Sequence, residues 1–567
     1  MFDWERAKEH GDVLMREGDF EGAAKCYREA IDTNPDFAKA HSNLGFALKE
    51  KGQFKEAEHE LLRALELDPA IADAHYLLGT IYQASENTDA ADVRFRTALG
   101  LDPENEFFRL DLSRFLFGQG KLDDARRILA DGVARNPASA PMHYYLGNIY
   151  YELDALDLAV SSFNRSLSIE PEQPEVLANL GLALLKQENL DASIAALQKA
   201  THLNPNDLDA FNNLGNAFLK KNSLKEAMAC YESGLAINPH SERLRYNKSL
   251  LSLLLGEFSS GWKDYECRWT QIAEGPRHNF SKPLWLNDAD ISGKTILLHA
   301  EQGIGDTLQF IRYVERVTAL GAKVYLEVHA PLKSLVTQLH GIADVLSMGD
   351  ALPDFEFHCP LASLPLAFDT GFATIPAKIP YLAASPERIA YWACRLPETK
   401  SPRIGLVWAG GTFFKNDHHR SIGLDLFSDI ATAEHLRFFS LQRELRSGDE
   451  SVLENSGRIS HLGPELFDFA ETAAVVANLD LIISVDTAVA HLAAAMGKPV
   501  WILLPFAPDF RWLLGRNDSP WYPSARLFRQ PAIGNWVQVI HDVKAALGRE
   551  FGPRLHNDLQ TESTPIK

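Results

Sequence analysis

A chain of 567 residues is too long for one hydrophobic core and implies two or three domains. Hydrophobic residues at 46% and charged residues at 23% are the proportions of a folded soluble protein. A net charge of −20 excludes a general nucleic-acid binder, which needs a basic surface to neutralise phosphates. Five cysteines scattered from Cys26 to Cys394 form no CxxC pair and no disulfide framework, as in a reducing compartment. The opening Met-Phe-Asp-Trp-Glu-Arg lacks the apolar run of a signal peptide. The most apolar stretch, residues 475–507, is broken by Asp480, Asp486, His491 and Lys498, so no spanning helix of about 20 apolar residues is expected there. The expected location is cytoplasmic.

The first half repeats. Prolines stand 34 residues apart at Pro35, Pro69, Pro103, Pro137, Pro171, Pro205 and Pro239. In the same register run a glycine column (Gly11, Gly45, Gly79, Gly147, Gly181 and Gly215, with Ser113 the exception) and a small-residue column from Ala23 to Ala227. A large residue follows four positions later, from Tyr27 to Tyr231. Small residues let two helices approach, the large one is expected to fill the gap between repeats, and proline ends the second helix because it lacks an amide donor. The pattern resembles the tetratricopeptide repeat, whose period is 34 residues. It predicts seven repeats over 4–241, stacked as an α-solenoid superhelix. Residues 242–280, where Gly261 and Tyr265 fall in register, are expected to form a degenerate eighth repeat or cap, and a linker.

Such a solenoid offers a concave face to a protein or peptide partner. One column of the first helices holds Asn43, Asn179 and Asn213, with Glu9, Leu77, Asp111 and Tyr145 in the other repeats. An amide can donate to and accept from a partner's backbone, which makes these asparagines candidate acceptor-protein ligands. Ordinary solvated or locally bonded side chains are the alternative. Residues 1–280 hold 44 acidic and 30 basic side chains, a bias that disfavours acidic partners.

After about residue 280 the period disappears, and 19 of the 29 prolines follow. Continuous apolar runs at 296–298, 324–328, 404–408, 436–441, 481–485 and 500–504 alternate with helical patterns, as in parallel strands buried on both faces. Two doubly wound lobes facing a cleft are predicted: 281–385, an interlobe helix and linker at 386–402, and 403–550. The polar tail 551–567 is expected to be disordered.

Three constellations could carry chemistry. Glu301-Gln-Gly-Ile-Gly-Asp-Thr-Leu-Gln309 follows the first strand and opens a helix. Gly303 and Gly305 allow close backbone approach, and Asp306 could accept a proton from an attacking hydroxyl or simply cap its helix. In the loop after 404–408, Gly410, Lys415 and Arg420 suit phosphate oxygens, unless they only solvate the loop. In the third, Thr487 and Ala488 open a helix whose amides could lie beneath a diphosphate, with Asp486 and His491 near its first turn; capping is the alternative. Gln442 and Glu471 could touch a nucleotide, or belong to a surface loop and a helix cap. Arg511-Trp512 and Trp521-Tyr522-Pro523 could line the cleft, or pack the second lobe. Gly293-Lys294-Thr295 precedes a strand and is no P-loop.

In order and spacing these motifs resemble the family 9 glycosyltransferases, the group containing the lipopolysaccharide heptosyltransferases, over about residues 290–548. Ile304-Gly305-Asp306 matches that family's Leu-Gly-Asp loop, whose aspartate is taken as catalytic base. Asp486 to His491 matches its diphosphate-binding Asp-Thr-Gly-x-x-His except at Ala488, and Arg420, or else Lys415, matches its basic phosphate ligand. The resemblance implies a GT-B fold and inverting transfer from a nucleotide sugar, with no cofactor and no metal. Gln309 stands where heptosyltransferases commonly have histidine, and Ala488 replaces glycine, so ADP-heptose is not implied. The joined architecture resembles bacterial repeat–transferase fusions, some of which modify flagellin with nonulosonic acid sugars, and also O-linked N-acetylglucosamine transferase. It implies a protein acceptor held by the solenoid and modified on a Ser or Thr hydroxyl. A binding scaffold with a non-catalytic module, and transfer to a glycan or lipid-linked acceptor, remain the other readings.

Overall fold

The computed structural model describes residues 3–271, 280–411 and 417–552. Lys415 and residues 553–567 of the expected tail lie outside these. The chain forms two compact units, Met1–Ala217 and Phe218–Lys567. No helix among the described residues is long and apolar enough to cross a membrane.

The first unit is an array of antiparallel helix pairs, from Asp3–Glu17 with Phe20–Thr33 to Pro174–Lys186 with Leu190–Leu203. Each second helix ends two residues before its repeat's proline, as at Thr33 before Pro35 and Leu67 before Pro69, because a residue preceding proline is driven out of the helical region. In the first four repeats the proline carbonyl then accepts a bond from the side chain six positions on. His41 reaches Pro35 O (3.1 Å), His75 reaches Pro69 O (3.0 Å), Arg109 reaches Pro103 O (2.8 Å) and His143 reaches Pro137 O (3.2 Å). The large column packs against the next repeat, Phe95 meeting Phe115 at 5.3 Å, and it also sits on the glycine of its own repeat. A Cβ at Gly11 would lie 2.7 Å from Tyr27, and one at Gly79 would lie 2.8 Å from Phe95. The absence of a side chain lets the ring fill the space between the paired helices.

The second unit begins earlier than the expected boundary at 241, inside the helix Leu208–Lys220. The reason is the eighth pair, Glu242–Leu254 and Phe258–Tyr265, which is no polar-faced cap. Trp262 donates its indole N–H to Thr370 O (3.1 Å) and meets Phe310, Phe510 and Trp521 edge-on at ring separations of 5.8–6.2 Å. Its burial makes this pair part of the α/β core.

That core carries two wholly parallel sheets. The strands of the first are β1 (Thr295–His299), β2 (Lys323–Val328), β3 (Ile342–Ser347) and β4 (Phe357–Pro360), in the order β3-β2-β1-β4. The second has β5 (Arg403–Val407), β6 (Arg437–Ser440), β7 (Ile459–His461), β8 (Leu481–Val485), β9 (Val500–Leu504) and β10 (Ala525–Arg529), in the order β10-β9-β8-β5-β6-β7. The helix Pro386–Arg395 stands between them in sequence. The architecture is an α-solenoid followed by an α/β region, as expected.

Candidate active site

The loop after β1 is held from the end of the eighth helix pair, by Tyr265, and from the short helix Arg268–Gln271 that follows it. Glu301 Oε1 accepts from Arg268 Nε (3.1 Å) and Nη2 (2.8 Å), and Arg268 also reaches Glu266 (2.6 Å) and Ser363 (2.6 Å). Arg268 is fully buried. Burial alone would depress its guanidinium, but Glu301 and Glu266 hold it above its ordinary value. Burial pushes the Glu301 carboxyl up, against the pull of Arg268. Next along, Gln302 and the Tyr265 hydroxyl are bonded at about 3 Å. Repeat-type residues thus fix the backbone that leads into the helix Ile304–Phe310.

Asp306 lies in the first turn of that helix. Its Oδ2 accepts from Gly303 N (2.9 Å), satisfying an orphan amide of the helix start, so the capping role considered from the sequence is present. Its Oδ1 is ion-paired with Arg511 Nη2, from the turn after β9. Arg511 also donates through Nη1 to Asp509 (2.6 Å) and stacks its guanidinium 4.4 Å from the centre of the Phe510 ring. Burial would depress Arg511, but Asp306 and Asp509 hold it well above its ordinary value. Burial pushes the nearby Tyr246 hydroxyl up to about 12, with the Asp509 charge adding to it.

Gly305 brings the two motif regions together. A Cβ on Gly305 would lie 3.0 Å from His491 Cδ2 and 3.8 Å from Ala488 Cα, so the loops after β1 and β8 touch where a cleft was expected. Thr487 caps the helix Ala488–Ala495, its hydroxyl held by Ser484 (2.9 Å). His491 is buried, bonded through Nδ1 to the Tyr522 hydroxyl (2.8 Å), with Nε2 3.7 Å from Asp486 and its ring 5.3 Å from Trp512. Burial would raise the Asp486 carboxyl; His491, Trp512 and the charge of Arg420 outweigh it and hold Asp486 below its ordinary range.

The loop after β5 gathers around Asp417. Arg420 Nε donates to Asp417 Oδ1 (2.9 Å), Ser421 donates to Oδ2 (2.7 Å), and Arg446 pairs with the same oxygen. Burial pushes Asp417 up, but these donors bring it below its ordinary value. Gly410 is confined by this cluster: a Cβ there would overlap the Asp417 carboxylate and lie 2.7 Å from Arg420 Nη2. Gln442 is buried and its amide is committed at both ends, accepting from Ala409 N (3.1 Å) and donating to Glu444 O (3.1 Å), which makes it a brace between two loops. Glu471 is likewise engaged, by Arg388 (2.6 Å) and Trp392 Nε1 (2.6 Å).

Residue types alone did not single out His329 or the partnership of Arg511. His329 follows β2 at the edge that bears Asp306, bonds to Thr307 Oγ1 (3.2 Å), and is depressed by burial. The available signal was position: both residues follow the carboxyl ends of parallel strands, where α/β proteins place their ligands.

In the first unit, two of the three asparagines are engaged by neighbouring repeats. Asn43 donates to Asp12 (2.9 Å), and Asn179 donates to Asn148 (2.8 Å) and the Tyr144 hydroxyl (3.3 Å). Asp111, in the same column, accepts from Tyr76 (2.6 Å). Asn179 also lines a cavity of about 490 Å³ with Arg114, Phe117, Tyr145, Asn148 and Tyr151, spanning the first helices of three successive repeats.

Residues 452–504 match the family model described as glycosyltransferase family 9 (heptosyltransferase). The match contains Asp486, Thr487, Ala488 and His491. Models described as TPR repeat match 11–52, 47–86 and 147–188, and tetratricopeptide repeat models match 82–149 and 179–242. The chain therefore joins a tetratricopeptide array to an α/β region that contains the match to the family 9 model. A curated relative, Protein FlbA of Caulobacter vibrioides, is 25% identical over 332 residues, covering 54% of this chain and 55% of that protein. The chain thus spans about half the length of the curated relative it matches. Among solved structures, PilF of Pseudomonas aeruginosa is 20% identical, covers 37% of this chain and 96% of that one, and has a TM-score of 0.33. YrrB, described as a TPR protein with an unusual peptide-binding site, is 22% identical, covers 40% and 100%, and has a TM-score of 0.27.

Proposed function

We propose that the chain is a glycosyltransferase of GT-B type that moves a sugar, with inversion, from a nucleotide sugar to a Ser or Thr hydroxyl of a protein. The observation that carries this reading is the contact of Gly305 with His491 and Ala488. It sets the carboxylate-bearing loop after β1 against the segment matched by the family 9 model.

The acceptor oxygen attacks the anomeric carbon as the bond from that carbon to the phosphate oxygen breaks. The hydroxyl proton passes to the Asp306 carboxylate, and the nucleoside diphosphate departs with the bonding electrons. The amides opening the helix at Thr487 and Ala488, with Arg420, face the charge that grows on the leaving phosphate. Gly303, Gly305 and Gly410 serve by close approach. Asp417, Asp486 and Gln442 position these groups, and Lys415 is assigned to the same phosphate by its place in sequence. These donors supply the positive field themselves, so the proposed mechanism is metal-independent and needs no cofactor.

The cavity beside Asn179 supports an acceptor peptide on the repeats. Its aromatic walls suit an apolar side chain, and the Asn148 amide N–H and the Asn179 side-chain carbonyl, left over from the bond between them, suit a peptide backbone. Flagellin is one protein of the proposed acceptor class. Incubating the full chain with a panel of nucleotide sugars and candidate protein acceptors, and weighing the products by mass spectrometry, tests the assignment. Sugar transfer with release of a nucleoside diphosphate is expected.

A further inference from the structure

We infer that Arg511 is exchanged between Asp306 and the donor diphosphate, so that filling the donor site is what frees Asp306 to act as base. This rests on the transferase reading and adds an order of events to it.

Both oxygens of Asp306 are engaged, Oδ2 by Gly303 N at 2.9 Å and Oδ1 by Arg511. A carboxylate oxygen that already holds a guanidinium N–H is not turned to receive the proton of an incoming hydroxyl. The Gly303 bond belongs to the helix start and can persist during catalysis. The Arg511 bond is the one that opposes the chemistry.

Arg511 is placed to leave. It sits on the turn Phe510–Trp512 after β9, adjacent in the sheet to β8, whose following residues Asp486–Ala488 form the proposed phosphate platform. The loop that carries Asp306 touches that platform at Gly305. Two nitrogens of the guanidinium are paired, with Asp306 and Asp509, while the buried Nε has no hydrogen-bond partner among the described residues. A diphosphate carries more negative charge than one carboxylate and presents paired oxygens that match a guanidinium edge. It can engage the unused donor and draw Nη2 away from Asp306, with Asp509 retaining Nη1 as the pivot. Acceptor deprotonation is thereby confined to complexes in which the donor is bound.

Calorimetric titration of the full chain with UDP, GDP, CDP, ADP and inorganic pyrophosphate tests the exchange. If Arg511 must leave Asp306 to bind diphosphate, removing the competing carboxylate tightens binding. Asp306→Asn is expected to bind the preferred probe roughly tenfold more tightly than the parent. Arg511→Met is expected to bind it roughly tenfold more weakly, Arg511→Lys to fall between, and Asp306→Asn to bring no gain in the Arg511→Met background. Unchanged affinity in Asp306→Asn, or a gain that persists without Arg511, overturns the exchange while leaving the transferase reading intact. Binding of none of the probes, by parent or variants whose melting curves match it, overturns both.

Discussion

Arg511 and Asp306, 205 residues apart in the chain, form an ion pair that joins the turn after β9 to the helix after β1. One residue before Asp306, Gly305 lies against the helix that opens at Ala488. The two parallel sheets are thus pinned together at the point where the proposed base and phosphate platform meet. Arg312 adds a second pin, donating to Trp521 O (2.7 Å) and to the Tyr381 hydroxyl (3.0 Å).

The Gly305 contact predicts a sharp response to one methyl group. Gly305→Ala places a Cβ 3.0 Å from the His491 ring, tighter than ordinary van der Waals contact. The helices must separate by a few tenths of an ångström or His491 must turn from Tyr522. Overpacking of this kind costs about 1–3 kcal/mol. The expected outcome is a raised KM for the nucleotide sugar with a modest fall in melting temperature, read by steady-state kinetics and calorimetry. A wild-type KM would contradict the role given to this contact.

Asp486 predicts a pH signature. Its folded value lies below the ordinary one, because the His491, Trp512 and Arg420 contributions outweigh burial. A depressed carboxyl contributes stability that is fully present above the unfolded value, about 4, and is lost as pH falls through the lower folded value. Asp486→Asn should therefore be less stable than the parent at pH 7, with the difference shrinking as pH is lowered below about 4. Thermal unfolding across a pH series measures it, and a gap that stays constant into acid would contradict the assignment.

Trp262 separates a fused eighth helix pair from a cap. It is buried against Phe310, Phe510 and Trp521, so Trp262→Ala should destabilise the second unit by about 3–5 kcal/mol. Chemical denaturation followed by fluorescence of the remaining tryptophans reports it. Near-parental stability would return the pair to the role of a detachable end.

The cavity across the first helices of three repeats predicts selective damage to protein acceptors. Tyr145→Ala, or Asn179→Ala, removes part of its lining. Modification of a protein acceptor should fall by about tenfold or more, the loss of roughly 1.4 kcal/mol of peptide binding. Donor hydrolysis by the same variants should be unchanged. Equal losses in both reactions would contradict an acceptor-binding role for these residues.

What could be read from the sequence follows burial. The six strands expected from continuous apolar runs correspond to β1, β2, β5, β6, β8 and β9, all interior to their sheets and covered on both faces. The four that left no such run, β3, β4, β7 and β10, are the sheet edges, where one side of the ladder is open and polar residues are tolerated. The proline and glycine columns were legible because the 34-residue geometry repeats the same steric demand. The asparagine column was legible as a column but not in its use, since the partners of Asn43 and Asn179 lie 31 residues back, on the preceding repeat. Asp306 was visible within its motif. Arg511, 205 residues away, could be paired with it only once both sheets were in place.

The most direct test of the central claim is mass spectrometry of the full chain incubated with a nucleotide-sugar panel and a protein acceptor, run beside Asp306→Asn. Consumption of a nucleotide sugar and a matching gain of one sugar mass on the acceptor are expected. Transfer by the variant, whose fold is retained, should be lower by about 100-fold or more. An untouched panel, or an Asp306→Asn chain that transfers at the parental rate, would contradict the claim.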